Sequence, residues 1–438
     1  MKPFSFFIIA LIFFASAAGG VFILKQEKEV FIENIPATGA LTPGALTPGV
    51  SPSTSGAESG VETSVEPSVE STSTPEIQNE DFVKKSEETI LQAQALIMET
   101  EKFLEEEKAK AAAIIQIKER SDKIKGIYVG GARNFSSFYN LLDETELNAL
   151  VIDIKESYGA NLSSSLKGSI AKLHEKDVWA IARIVVFRDS SLIEEKPDWY
   201  LTFASTTEAT ATADATTTNS LWQDNAKQYW LNPENEEVVN YIIDFSKKAI
   251  DYGFDELQFD YIRYPDDYNY ISGEEKIKAI GDFFSKISDS LRNYKPTVML
   301  SADLFGYVAT QFNSYGTGQR LSDAGKYFDY LSFMLYPSHF YGGFAAKGIR
   351  YFYPEVVENP YDVIYYSVAS ARDYLALFGF ETKIRPWLQD FNLAVDLNRG
   401  IVYDSEKIRF QIDGAENATS SGWLLWNPSN LYTRDALK

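Results

Sequence analysis

From Ile124 onward, apolar and polar positions follow two alternating rhythms. Short β-like runs recur: "IKGIYVGG", "ALVIDIKES", "DVWAIARIVVFRD", "DELQFDYIRYP", "TVMLSADLFGY", "DYLSFMLYPSHF", "KIRPWLQDF" and "GWLLWNPSN". Between them lie stretches such as "EVVNYIIDFSKKAIDYG" and "EEKIKAIGDFFSKISDSLRNY", whose apolar residues return every three or four positions. Period two alternating with period 3.6 predicts strands joined by amphipathic helices. Eight such strands over residues 121–438 argue for an α/β fold, a (β/α)8 TIM barrel. One connector, Leu201 to Ser220, is rich in Thr and Ala with little apolar patterning, which predicts a flexible surface excursion.

The preceding chain has other rhythms. Over residues 81–120, Glu, Lys, Ala and Leu dominate, and Val83, Ile90, Ile97, Leu104 and Ala111 recur every seven residues. The second seam position is poor, with Ser86, Ala93, Thr100, Glu107 and Ile114. This pattern predicts one long amphipathic helix, packed on the following domain or weakly paired with a second copy as a coiled-coil homodimer. Residues 25–80 form a Thr/Pro/Ser/Glu-rich linker with the duplication "ALTPGALTPG". Such a composition buries too little apolar surface to offset chain entropy and predicts disorder. As a coil, its Pro/Ser/Thr-rich part would span roughly 35–40 Å. Residues 1–24 contain the uncharged run Phe4 to Leu24 behind Lys2, long enough to span a bilayer. The "ASA" at 15–17 resembles a signal-peptidase site, but the apolar run continues past it through "VFIL". The expectation is a single-pass anchor in the cell membrane with the barrel extracytoplasmic, or a secreted barrel if that segment is cleaved.

In a barrel, one strand parity packs outward on helices and the other points inward, lining the site near the strand's C-terminal end. In the fourth strand Leu257, Phe259 and Tyr261 take the outward parity, leaving Glu256, Gln258 and Asp260 inward. The second strand places Asp153 and Lys155 inward, and the fifth Ser301 and Asp303. The third gives Arg183, Val185, Phe187 and Asp189, and the sixth Ser332, Met334 and Tyr336. The seventh gives Arg385, Trp387 and Gln389 and leaves Asp390 off parity, while Tyr128 completes the ring from the first. The polar residues therefore gather on the parity and at the end where chemistry occurs in this architecture.

Charge and composition narrow the choice of chemistry. A net charge of −21 argues against nucleic acid as a partner. There are no cysteines and two histidines, His174 and His339, without a zinc-binding spacing. No metal site and no cofactor follows from the motifs, although carboxylates alone could hold Ca²⁺ or Mg²⁺. Asp260 and Asp303, from neighbouring strands, suit glycoside hydrolysis, which needs an ionised carboxylate and a protonated one. Asp153, Lys155, Arg183, Gln258, Arg263, Tyr336, His339, Trp387, Gln389, Asp390 and Trp426 are the candidates for holding substrate. Singly, each aromatic reads as barrel packing before it reads as a sugar platform, Asp153 reads also as an ion-pair partner of Lys155 or Arg183, and Arg263 as a partner of Asp266 or Asp267.

Taken in order, "KGIYVGG", "NALVIDIKESYG", "ARIVVFRD", "YWLNP", "GFDELQFDYIRYP", "SADLFGY", "MLYPSHF", "RPWLQDF" and "GWLLWNPSN" resemble the bacterial putative glycoside hydrolase domain family, barrels catalogued as a domain of unknown function. The resemblance covers nearly all of 124–438 and implies a TIM barrel related to glycosidases, with no defined substrate. More distantly, the chain is similar to the α-amylase-like clan, which places an Asp nucleophile on strand four, an acid on strand five and a stabilising Asp on strand seven. Asp260, Asp303 and Asp390 fall in those strands. Gln258 stands where that clan has Arg, and Asp303 where it has Glu. The expectation is a glycosidase acting on a cell-surface or wall polysaccharide, against two rivals: a non-catalytic glycan-binding barrel and an envelope protein working through its long helix.

Overall fold

The structure, a computed structural model, describes residues 79–130, 135–203, 220–314 and 316–438. The expected anchor over 1–24 and the linker up to Gln78 lie outside the described residues, as does most of the Thr/Ala-rich insertion. Among the described residues no helix is long and apolar enough to cross a membrane.

Eight strands form the barrel: β1 (Ile124–Val129), β2 (Ala149–Glu156), β3 (Trp179–Val185), β4 (Glu256–Asp260), β5 (Met299–Phe305), β6 (Tyr330–Met334), β7 (Lys383–Ile384, resuming as Trp387–Gln389) and β8 (Gly422–Trp426). Neighbours pair in parallel, and β1 pairs with both β2 and β8, which closes the cylinder. Pro386 interrupts β7 because it has no N–H for the ladder, yet its carbonyl still accepts from Leu424 N at 2.9 Å. At the start of β8, Gly422 has φ +84°, and a Cβ there would meet Ile124 O at 1.8 Å. Only glycine fits that approach.

Apart from three single-turn α-helices, the α-helices of the described residues are α1 (Asn79–Ser121), α2 (Ser136–Glu144), α3 (Ser164–Glu175), α4 (Glu236–Tyr252), α5 (Gly273–Tyr294), α6 (Leu321–Tyr327), α7 (Pro360–Leu377) and α8 (Ser405–Asn417). Their ends follow the sequence signals. Asn235 caps α4 by accepting from Glu237 N and Val238 N, and Gly253 ends it in the left-handed region. Ser272 and Glu275 form a capping box on α5.

Apolar burial falls into two shells, as strand parity predicts. Leu150, Ile152, Leu257, Phe259, Leu300 and Leu304 pack outward with Ile242, Phe283 and Ile287 of the helices. Ile124, Val151, Trp179, Ile181, Met299, Tyr330 and Leu424 fill the cylinder. Full burial of a side chain such as Leu257 or Phe259 contributes ~1.5–3 kcal/mol.

Three inward expectations are corrected. The β2–β3 register shifts between Asp153 and Lys155, a bulge that returns Lys155 to the helix side. There its Nζ lies 2.7 Å from Asp189 Oδ2, with both side chains fully buried, and donates to Val185 O at 2.8 Å. Phe187, beyond the end of β3, packs edge-on against Phe283 of α5.

Asn79–Ser121 is one long helix, and of the two packings expected for its stripe, packing along the barrel is not what the structure has. Val83, Ile90, Ile97 and Leu104 are 49%, 57%, 44% and 38% exposed, so the heptad stripe does not lie along the barrel. Contact comes at its C-terminal end. Ile117 packs against the cluster filling the cylinder, and Ser121 O accepts from Arg385 Nη2 at 2.6 Å. Tyr330 Oη is hydrogen-bonded with Ser121 Oγ at 2.5 Å and donates to Asp122 Oδ1 at 2.7 Å. Arg385 in turn meets Glu256 at 2.8 Å, with both side chains fully buried. The end of α1 therefore closes the barrel's bottom. The edges of the insertion are ordered too: Leu201 is buried and Thr202 bridges Leu221.

Candidate active site

The other end of the cylinder opens into a pocket of about 200 Å³. Its polar floor comes from the ends of β3, β4 and β5, which supply Arg183, Asp260 and Asp303. Its walls are Tyr261 and Arg263 after β4, Phe305 of β5, Met334, Tyr336 and His339 at and after β6, Trp387 of β7 and Trp426 of β8.

Arg183 organises the acids. Its Nε lies 3.1 Å from Asp260 Oδ2 and 3.8 Å from Asp303 Oδ2, and its Nη2 also donates to Asp260. Two carboxyl oxygens around one nitrogen are at most ~7 Å apart, within reach of a two-carboxylate mechanism. Arg183 Nη1 donates to Asp153 Oδ1 at 2.5 Å, while Tyr128 Oη donates to Asp153 Oδ2 at 2.5 Å. Asp153 thus serves as counter-charge behind Arg183, away from the pocket lining.

Asp260 is fixed by its own backbone, since Tyr261 N donates to Asp260 Oδ1 at 2.6 Å. Tyr261 takes φ +52°, a left-handed conformation uncommon outside glycine. That turn ends β4 and swings Tyr261, expected on the helix side, into the pocket wall.

Asp303 sits in a different environment. Burial pushes its carboxyl well above the usual range, and the neighbouring Asp260 charge pushes it further; Arg183 and a hydrogen bond from Trp387 pull the other way. The protonated form of Asp303 is thereby favoured, next to the Asp260 carboxyl that Arg183 binds. Burial also raises the Tyr336 hydroxyl well above its ordinary value, and lowers His339, which favours a neutral imidazole.

Of the expected site residues, Asp260, Asp303, Arg183, Arg263, Tyr336, His339, Trp387 and Trp426 line the pocket. The others do not. Asp153 stands behind Arg183, and Lys155 faces the helices with Asp189. Gln258 is fully buried one layer below and donates to Ser332 Oγ at 3.1 Å. Gln389 braces the loop after β6 by donating to Ser338 Oγ at 2.7 Å. Asp390, off parity as the sequence indicated, accepts from Thr433 N and Oγ1, both at 2.8 Å, and anchors the C-terminal segment. Phe305 was missed, although it shares the inward parity of Ser301 and Asp303 and lines the pocket at the very end of β5; alternation carried on by two residues finds it. Among the described residues no group of three or more His, Asp or Glu is arranged to hold a metal.

The fold and this mouth define the class: a (β/α)8 barrel with a carboxyl pair at the C-terminal ends of adjacent strands. The chain belongs to the family described as "Putative glycosyl hydrolase domain", whose model matches residues 160–432. The match begins after β2, so Asp153 lies outside it. Among solved structures the chain is similar to a hypothetical protein from Ruminiclostridium thermocellum, at 28% identity over 40% of this chain and 96% of that one, with TM-score 0.32. It is also similar to an alpha-galactosidase from Thermus thermophilus, at 15% identity over 72% of this chain and 63% of that one, with TM-score 0.42. A third is the glycoside hydrolase domain of PelA from Pseudomonas aeruginosa, at 10% identity, 70% and 96% coverage and TM-score 0.40. No curated protein matches the chain.

Proposed function

We propose that the protein hydrolyses a glycosidic bond in a cell-surface or wall polysaccharide, with Asp303 as general acid and Asp260 as nucleophile or base. The observation that carries this reading is the asymmetry of the pair: Arg183 binds Asp260 through both Nε and Nη2 but only approaches Asp303, at 3.8 Å, and burial drives Asp303 towards its protonated form. Glycoside hydrolysis asks for that division of labour, and two carboxyls in unlike environments supply it. Tyr336 and Trp426 stack with centroids 5.6 Å apart at 27°, giving the wall a flat aromatic surface on which a sugar ring can rest. The apolar run over residues 4–24 supports placing the barrel outside the cell membrane, since it is long enough to span one.

The test is a screen of the full chain against a polysaccharide panel, reading new reducing ends, with Asp260→Asn beside it. Turnover by wild type and its loss in the folded variant is expected. Equal turnover in the variant removes Asp260 from the reaction. Glycan binding with no turnover by wild type leaves a glycan-binding barrel instead.

A further inference from the structure

Arg263 is a cation with no carboxylate partner among the described residues. It follows Asp260 by three residues and lines the same pocket. Aromatic rings surround its guanidinium, with Phe305 at 4.3 Å, Trp230 at 5.0 Å and Tyr261 at 5.5 Å from the centroids. Its Nη1 donates to Tyr264 O at 3.0 Å. Among the described residues, Nε and Nη2 have no acceptor and no carboxylate lies within ion-pair distance. Asp266 and Asp267, close in sequence, do not pair with it. The other two guanidiniums in the barrel interior are answered: Arg183 by Asp153 and Asp260, Arg385 by Glu256.

A guanidinium cannot escape burial by losing its proton. Burial lowers Arg263 below its ordinary value, and Arg188 adds to the effect, while Asp260 and Asp266 act on it only at longer range. The rings cover its faces, so the planar edge remains for ligand contact. That edge matches the two oxygens of a carboxylate or a phosphate.

We propose that Arg263 binds an anionic substituent of the substrate, so that the glycan cleaved is an acidic one bearing uronate carboxylates or phosphate esters. The inference rests on the glycosidase reading for the word "cleaved" but not for the anion site. Paired charges make the rest of the pocket compatible: Asp260 and Asp153 are answered by Arg183, and burial favours the neutral form of Asp303. The chain's net charge of −21 repels polyanions at long range. Selectivity for an anionic glycan must therefore come from a local contact.

The experiment uses the full chain with Asp260→Asn as background, so that binding is read without turnover. The probes are oligogalacturonate, oligoalginate and hyaluronan fragments with their carboxyl-reduced counterparts, and phosphorylated oligosaccharides with their dephosphorylated forms. The expected result is that at least one anionic probe binds about 30-fold more tightly than its neutral counterpart, a difference of ~2 kcal/mol. Arg263→Gln brings that ratio near one, and Arg263→Lys, which keeps charge but loses the fork, recovers part of it. Uronate-only or phosphate-only selectivity identifies the source of the anion. Equal binding of neutral and anionic probes, an unchanged ratio in folded Arg263→Gln, or no anionic probe bound at all overturns the proposal. Turnover confined to neutral glycans also overturns it while leaving the hydrolase intact. Arg263-dependent selectivity in a wild type without turnover keeps the anion site and removes the hydrolase.

Discussion

Trp387 Nε1 donates to Asp303 Oδ1 at 2.7 Å, from β7 across the barrel mouth to β5. That bond favours the ionised carboxylate, whereas burial and Asp260 favour the acid and prevail. Removing the indole N–H takes away an opposing influence. In Trp387→Phe the Asp303 carboxyl should therefore rise further, and the alkaline limb of the kcat/KM profile should move to higher pH. A limb that stays put or moves to lower pH breaks the link between Asp303 and the proton delivered.

The same carboxyl makes a stability prediction. Its folded-state value lies above its unfolded one, so its stabilising contribution is complete below the unfolded value and is lost as pH rises through the folded value. Asp303→Asn imitates the protonated form. It should match wild type in acid, exceed it in alkaline denaturation, and lose turnover by about 10²–10⁴-fold, as expected for a missing general acid. Paired denaturation and pH–rate curves check both halves.

The barrel and most of its mouth were legible in the sequence because alternation is a strict geometric consequence of the extended chain. Leu257, Phe259, Leu300 and Leu304 face helices, and Asp260 and Asp303 face inward, as parity requires. The reading failed where the period broke. The bulge after Asp153 moved Lys155 to the helix side, the left-handed turn at Tyr261 moved that ring into the pocket, and β3 ended before Phe187. Alternation cannot register an extra residue in a strand or the point where a strand stops. Nor could composition say where the heptad stripe would lie. The exposed Val83, Ile90 and Ile97 show a helix that meets its barrel at its C-terminal end.

Lys155 separates structural from substrate-binding roles. Its pair with Asp189 is fully buried on the helix side of β2. Lys155→Met leaves Asp189 as an unanswered buried charge, a loss of ~3–5 kcal/mol, whereas Lys155→Met with Asp189→Leu should recover most of it. KM should be unchanged in the folded double variant. A raised KM with restored stability would return Lys155 to the substrate.

Arg183 is the opposite case, since stability and activity should fall together. Arg183→Met leaves Asp153 and Asp260 without their counter-charge, again ~3–5 kcal/mol. Adding Asp153→Asn should restore part of the stability but none of the turnover, because Asp260 stays unpaired at the reacting end. Denaturation midpoints and turnover of the single and double variants give the coupling. Full recovery of turnover in the double variant would show that Arg183 has no role at the mouth.

The bottom of the barrel gives the last contrast. Glu256 and Asp260 are four residues apart on β4, so the Arg385–Glu256 pair and the pocket are separated by ~13 Å of strand. Deleting residues up to Glu107 removes the exposed heptad stripe and touches neither end, so melting temperature and turnover should both persist. Deletion through Asp122 removes the carbonyl that accepts from Arg385 Nη2 and the groups bonded to Tyr330. Each buried donor left unsatisfied costs ~1–3 kcal/mol, and the melting temperature should fall by several degrees. Residual folded protein should still turn over substrate, since the pocket's own hydrogen bonds are untouched. Loss of turnover on the shorter deletion would mean that the helix, rather than the barrel mouth, is the working part.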